Sequence, residues 1–400
     1  MTRTEQIVAE LCKGTFLSFW SFPNPIGKSI DKELCDILVV CEPDVIIFSI
    51  KEINVKESGQ PIVEIERWER NAIQKSVKQI YGAERYIRDK QEVLLSDRLT
   101  KIKLPDTGIR NVYRVAVTFG RGEKFPSKEG DFGNGYVHVF DERSIEIVLK
   151  ELDTISDFID YLNAKEAFQR SPQKVISFSG EDLLAMYLQN GLQLPKNTDI
   201  FIIADEIWPG YAASTEYAEE KEANRISYVW DGVIEGLTKD FHEGQLIENI
   251  SISELELALR WMNKENRYQR RLLSHAFVGM FNQSQEERKK ISRIVLTENI
   301  DDPLYVFMSR PLEHRDTARE ELNLRCVVAR SLYPEKERII GIASEPEAPD
   351  KGHSIDLVYM HLTGWDEEMQ LRAKSIQDEL GYFKGMVKRK IKEDGTTVND

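Results

Sequence analysis

Hydrophobic and polar positions change period several times along this chain, and each change marks an element. Residues 4–13 carry a helical spacing, and the aromatic segment from Phe16 to Pro25, closed by prolines, reads as core. Two short apolar runs follow, Ile37-Leu38-Val39-Val40 and Val45-Ile46-Ile47-Phe48, with a Glu-Pro-Asp turn between them. Runs of that length around a turn predict a β-hairpin. From Glu64 to about Lys90, the residues Ile65, Trp68, Ala72, Ser76, Gln79, Ala83 and Ile87 recur at steps of three and four, so they share one helix face. Strands are predicted at Asn111–Phe119 and Tyr136–Phe140, around a glycine- and charge-rich loop from Gly120 to Gly135. One amphipathic helix is predicted over 143–168.

The order helix, strand, strand, helix, strand, strand, helix predicts an α/β domain with a mixed sheet over residues 1–170. Ser171-Pro172-Gln173 reads as the boundary to a second α/β region, 171–385, followed by a flexible tail, 386–400. In the second region a short helix is expected at 181–189 and a strand from Asp199 to Ala204. Long helical stretches at 215–240 and 252–282 come next, and the region closes with alternating strands and helices.

The 400 residues allow two or three domains, and 41% hydrophobic with 30% charged residues is ordinary for a water-soluble fold. No apolar run approaches the roughly 20 residues that cross a bilayer. The first residues carry no basic-then-apolar signal segment, so a cytoplasmic protein without a membrane partner is expected. Four cysteines lack Cys-x-x-Cys spacing and six histidines lack His-x-x-x-His spacing, which disfavours a zinc site. A net charge of −14 argues against a nucleic-acid coat protein. Basic residues nonetheless concentrate locally, from Arg67 to Lys103, from Arg260 to Arg271 and from Arg288 to Arg293. Each such cluster reads equally well as a solvated helix face.

Candidate chemistry gathers around the hairpin. Asp36 opens its first strand and Lys51 ends its second. Charges at the ends of buried strands are costly unless paired or bound to a metal. Side chains alternate along a strand, so Ser49 and Lys51 share a face and Glu52 points away from it. A carboxylate there can hold a divalent cation, and a nearby lysine can position water or steady a phosphorane-like transition state.

These residues resemble the PD-(D/E)XK superfamily, the restriction-endonuclease-like nucleases. In that family an acid begins one strand and an acid-x-lysine triplet lies on the next. Asp36 matches the first acid and Lys51 the lysine, while Ser49 stands where the second acid is usual. A glutamate on the preceding helix would correspond to Glu10 or Glu5, and a glutamine on the following helix to Gln79. The resemblance covers about the first 90 residues closely and 170 loosely. It implies a restriction-endonuclease-like mixed sheet flanked by helices and a nuclease that cleaves phosphodiester bonds of DNA with Mg²⁺ or Mn²⁺. Asp36 would ligate the metal with Glu10 or Glu33, with Glu66 and Glu69 as further candidates for the missing ligand. Lys51 would assist the water or the transition state, Gln79 would orient both, and Ser49 would contribute a weaker oxygen. Arg67, Arg70, Lys75 and Lys78 would grip the DNA backbone. Double-stranded DNA is the expected partner, a homodimer suits two cuts in a duplex, and antiviral defence is a role by analogy.

Two other readings stand beside this one. The same fold with Ser49 in place of the acid can bind nucleic acid, or act as a scaffold, without cutting. Arg270 and His275 have the Arg-x4-His spacing of a family of helical ribonucleases, in which arginine would hold the phosphate and histidine would move the proton without metal. Neither glycine-rich segment, at 120–122 or 130–135, has the ending or context of a phosphate loop, and no Gly-x-Ser-x-Gly elbow is present.

Overall fold

A computed structural model describes the chain except residues 30–31, 55–58, 121–127, 172–173, 178–179, 196–199, 204–205, 244–249, 298–301, 311–314, 346–354, 387–388, 392–396 and 400, and describes the backbone alone at 174–177, 200–203, 315–316, 389–391 and 397–399. Two compact units divide it, Met1–Glu219 and Glu220–Asp400. Both are mixed α/β, with helices against sheets that contain parallel and antiparallel pairs. No helix among the described residues is long and apolar enough to cross a membrane.

The first unit opens with α1 (Arg3–Phe16), started by a reciprocal cap between Thr2 and Glu5. Strands β1 (Ser21–Pro23), β2 (Ile37–Cys41) and β3 (Asp44–Glu52) then form an antiparallel run. A long helix follows as α2 (Pro61–Trp68), a π-helical segment (Glu69–Gln74) and α3 (Lys75–Ile87). After a small hairpin, β4 (Glu92–Leu94) with β5 (Lys101–Lys103), the chain re-enters the main sheet. It does so as β6 (Asn111–Phe119), β7 (Gly130–Asp131) and β8 (Tyr136–Asp141). The sheet order is β1-β2-β3-β6-β8-β7, with β3, β6 and β8 parallel.

Strand alternation sends Leu38, Val40, Ile47 and Ala116 to one face, where they pack on Trp68, Ala72, Val77, Ile80 and Ala83 of the long helix. The small side chains Ala72, Ser76 and Ala83 are buried there and let helix and sheet approach closely. On the other face Phe48 meets Phe16 of α1 at 6.2 Å between ring centroids, and Phe16 meets Phe158 at 5.3 Å. The single helix expected over 143–168 is instead two, α4 (Glu142–Glu151) and α5 (Ile155–Arg170). Thr154 is the reason: its extended backbone and side chain, which accepts from the Asp157 amide, cap a new helix start.

Residues beyond α5 up to Glu219 belong to this first unit, so the chain divides later than Ser171. They contain β9 (Lys174–Ser177) parallel to β10 (Ile200–Ile203), with α6 (Gly180–Gln189) between them and α7 (Ile207–Ala212) beyond. The rest of the expected boundary, Pro172-Gln173, lies outside the described residues.

Helix α8 (Thr215–Asn224) leads into the second unit, where α9 (Tyr228–His242), α10 (Ile252–Lys264) and α11 (Arg267–Glu287) precede a four-stranded sheet. That sheet runs β11 (Ser292–Val295), β12 (Leu304–Ser309), β13 (Arg338–Ser344), β14 (Ile355–His361), and α12 (Arg315–Leu332) crosses between the parallel pair β12 and β13. Gly341 is required on β13, because a Cβ there would lie 2.6 Å from Cys326 Sγ on α12. The long helical stretches expected at 215–240 and 252–282 each break once, the second at Glu265-Asn266, where Asn266 caps α11. Helix α13 (Glu367–Leu380) and the pair β15 (Arg389–Ile391) and β16 (Thr397–Asn399) close the chain, so part of the expected tail is strand.

Glu265 is buried in this unit, where the Tyr305 hydroxyl donates to its Oε1 at 2.7 Å. Burial first, then the nearby Asp302 charge, pushes its carboxyl up to about 8 against the opposing pull of Tyr305, Arg270 and Lys336. The folded state therefore holds a proton that the unfolded state has already released above its ordinary value of 4.5. Stability accordingly falls as pH rises from about 4.5 to about 8. Glu265→Gln is expected to flatten that slope in urea unfolding measured across the same pH range, and an unchanged slope contradicts the assignment.

Candidate functional site

The antiparallel register pairs Ile37 with Phe48, and the Asp36 amide donates to the Phe48 carbonyl at 3.2 Å. Asp36 therefore stands one step before β2, beside Ser49. Its side chain falls on the same face as Leu38 and Val40, the face covered by the long helix. Ser49 and Lys51 share that face from β3, as the alternation predicts.

Four side chains meet there. The Asp36 side chain is 4% exposed. Its Oδ2 accepts from the Ile50 amide and lies 3.5 Å from Lys51 Nζ. Its Oδ1 accepts from Gln79 Nε2 at 3.1 Å. The Ser49 hydroxyl donates to Gln79 Oε1 at 3.0 Å. Gln79 thus bridges the two strands from α3, and its reach depends on the small residues that let α3 lie close to the sheet. Lys51 is only partly covered, 27% exposed, so the ammonium sits at the mouth of the cluster while the carboxylate forms its floor.

The structure does not bring the remaining acids to this point. Glu10 is on the exposed side of α1, paired with Lys13 at 2.9 Å, and Glu5 caps its own helix. Glu33 accepts from Asn24 Nδ2 at 3.1 Å in an exposed bridge. Glu69 pairs with Lys128 at 3.0 Å, and Glu66 is exposed. Among the described residues no group of three or more His, Cys, Asp or Glu side chains could hold a metal ion. The carboxylate cage expected from Asp36 with Glu10 or Glu33 is therefore replaced by one carboxylate, one hydroxyl and one amide. These are hard oxygen donors, which suit Mg²⁺ or Mn²⁺ when water and phosphate oxygens complete the shell. Beside them, burial and then the Asp36 and Glu33 charges push the Cys35 thiol up, and the thiol donates to the Ile37 carbonyl.

The outer side of the long helix is basic. Arg67, Arg70, Lys75 and Lys78 are all exposed. Lys78, Arg85 and Arg88 line a groove of about 500 Å³ with Tyr81 and Phe132. The Tyr81 hydroxyl anchors the far wall by donating to the Gly135 carbonyl at 2.6 Å. Glu84 in the same groove is engaged by Arg114, so the wall presents net positive charge.

The Arg270 and His275 pair does not form a site. Arg270 is fully buried and its guanidinium donates to Asp231, the Glu265 carbonyl and Asn263, so no phosphate reaches it. A charged cluster that sequence patterning does not single out lies in the second unit. There, at the end of β12, Arg310 is buried 2.9 Å from Glu345 and 3.0 Å from Asp356.

Comparison with protein-family models, with curated proteins and with solved structures finds no match to this chain.

Gln79→Leu removes the donor to Asp36 and the acceptor of Ser49 together. Leaving buried polar atoms unpaired costs about 1–3 kcal/mol. Urea unfolding of the variant is expected to show a loss of that order, and a loss near zero would mean the bridge is not formed.

Proposed function

We propose that this chain is a metal-dependent nuclease that cleaves phosphodiester bonds of DNA, on a restriction-endonuclease-like N-terminal unit. The observation that carries the reading is the meeting of Asp36, Ser49, Lys51 and Gln79 at one spot, from two strands and a helix. An acid, a lysine and a glutamine amide in that order along the chain match the pattern that the PD-(D/E)XK resemblance implies.

Asp36, with Ser49 as a weaker oxygen, would hold Mg²⁺ or Mn²⁺. A metal bound there would lower the pKa of a coordinated water and offset charge on the scissile phosphate. Lys51 donates to a non-bridging phosphate oxygen or to the attacking water, where charge builds in the transition state. Gln79 holds the Asp36 carboxylate in one orientation, and Ser49 fixes the Gln79 amide in turn. Exposed Arg67, Arg70, Lys75 and Lys78 carry the DNA backbone past the site, continued by Arg85 and Arg88 in the groove. Double-stranded DNA, action as a homodimer, a cytoplasmic setting and a part in antiviral defence complete this reading.

Supercoiled plasmid is expected to be nicked or linearised with Mg²⁺ or Mn²⁺ and to stay intact with EDTA. Asp36→Ala is expected to abolish cutting, and Lys51→Ala to slow it by roughly 100-fold or more. Equal cutting by the Lys51 variant would dismiss the site.

The single carboxylate favours a second reading, a nucleic-acid-binding or scaffold protein whose nuclease fold no longer cuts. That reading expects DNA retention without cleavage under any metal.

Both readings use the basic groove, which gives a separate test. Each phosphate contact contributes about −0.9 to the slope of log affinity against log salt on duplex DNA. Lys78→Ala with Arg85→Ala is expected to make that slope shallower by nearly two in filter binding, and an unaltered slope would remove DNA from the groove.

A further inference from the structure

The basic groove of about 500 Å³ lies between α3 and the turn at 131–135. Lys78, Tyr81, Arg85 and Arg88 follow one another at steps of three and four, so they stand in line along α3 and its C-cap. The line is about 15 Å long at 1.5 Å per residue. Lys78 precedes Gln79, the residue that reaches Asp36, so one end of the groove starts at the same helical turn as the Asp36 cluster.

Two rings line the groove among these cations. Tyr81 and Phe132 are half-buried, packed against the core of the sheet and partly open to solvent. Hydrogen bonds fix them side by side. The Tyr81 hydroxyl donates to the Gly135 carbonyl at 2.6 Å and accepts from the Phe132 amide at 3.3 Å. Asp131 closes the turn by accepting from the Gly133 and Gly135 amides at 2.7 and 3.1 Å.

The charges of the groove are available to a ligand. Lys78, Arg85 and Arg88 are exposed and, among the described residues, form no ion pair. Glu84, the carboxylate of the lining, is held by Arg114 Nε at 2.7 Å and leaves the three cations unneutralised.

Cations alone suit any polyanion, and the phosphates of a duplex can meet them at the rim. The rings add a requirement that a duplex does not meet, because its bases are paired and their faces are covered by their neighbours. An unpaired strand offers the face of each base to a ring, whatever the sequence. A positive groove with aromatic side chains along it is the combination that fits a single strand.

We propose that this groove holds an unpaired strand of DNA, its phosphates on Lys78, Arg85 and Arg88 and its bases against Tyr81 and Phe132. The inference deepens the nuclease reading and takes from it the choice of DNA as the polymer. It makes the favoured substrate a duplex with a single-stranded overhang or flap, since a strand in the groove leads to the turn of α3 that meets Asp36.

Fluorescence anisotropy of the full chain in EDTA, where nothing is cut, tests it with three labelled probes. These are an oligothymidylate, an abasic strand of the same length and a blunt duplex of the same length. The thymidylate is expected to bind about tenfold more tightly than the abasic strand, the worth of one stacked base, and more tightly than the duplex. Phe132→Ala is expected to erase the difference between thymidylate and abasic strand. Lys78→Ala with Arg85→Ala is expected to weaken both strands alike. Equal binding of thymidylate and abasic strand, tighter binding of the duplex, or a difference that survives Phe132→Ala would each overturn the inference. Undiminished binding by the double variant would overturn it too, by taking the strand out of the groove. If Phe132→Ala does not fold, the abasic comparison on the wild-type chain decides. Plasmid cutting without a preference for bases would remove this inference and keep the nuclease, and a preference for bases without cutting would do the reverse.

Discussion

A carboxylate buried at the end of a strand must be met by donors, and at Asp36 that requirement ties three elements together. The Ile50 amide fixes the register of β2 on β3, Gln79 pins α3 over both, and Lys51 balances the charge. Removing water from a carboxylate is tolerated only with such partners. The packing follows from the same constraint. Gln79 reaches Asp36 because Ala72, Ser76 and Ala83 bring the helix close to the sheet. The π-helical segment at Glu69–Gln74 adds a residue to the turn, so that Trp68 before it, Ala72 and Ile73 within it and Ser76, Ile80 and Ala83 after it all face inward.

Most of this geometry was legible in residue order because it is local. The period-two pattern of β2 and β3 gives the face of Ser49 and Lys51, and the steps of three and four give the face of Gln79. The chain itself supplies the hairpin that places Asp36 beside Ser49. Where side chains leave the local pattern, sequence reasoning ends. Glu10 and Glu33 have the right residue type but turn to Lys13 and Asn24, and no periodicity predicts the choice of an exposed acid. The break between α4 and α5 was readable from Asp153-Thr154, since threonine before a turn of helix is a good cap. The short strands β1, β4 and β5 carry too few residues for a pattern. The place of Phe132 in the basic groove was not readable at all, because its turn meets α3 only after folding.

The second unit shows the same contrast. Its strands and crossover helix follow from apolar runs, and Gly341 records a close approach of helix and strand. Its buried charges do not follow from pattern. Arg270, which by spacing resembles a catalytic arginine, is a structural side chain bound by Asp231, Asn263 and the Glu265 carbonyl. Spacing alone cannot separate a residue that holds a substrate from one that holds its own fold; burial and partners can.

Asp36 therefore carries the central proposal, that this buried carboxylate would hold a divalent cation, with Lys51 beside it for the water or the phosphate. Electron paramagnetic resonance of free Mn²⁺ titrated with the full chain measures this directly, without a substrate. The account predicts that the wild-type chain withdraws Mn²⁺ signal with saturation and that Asp36→Ala does not. Equal withdrawal by both proteins, or none by the wild type, would contradict it.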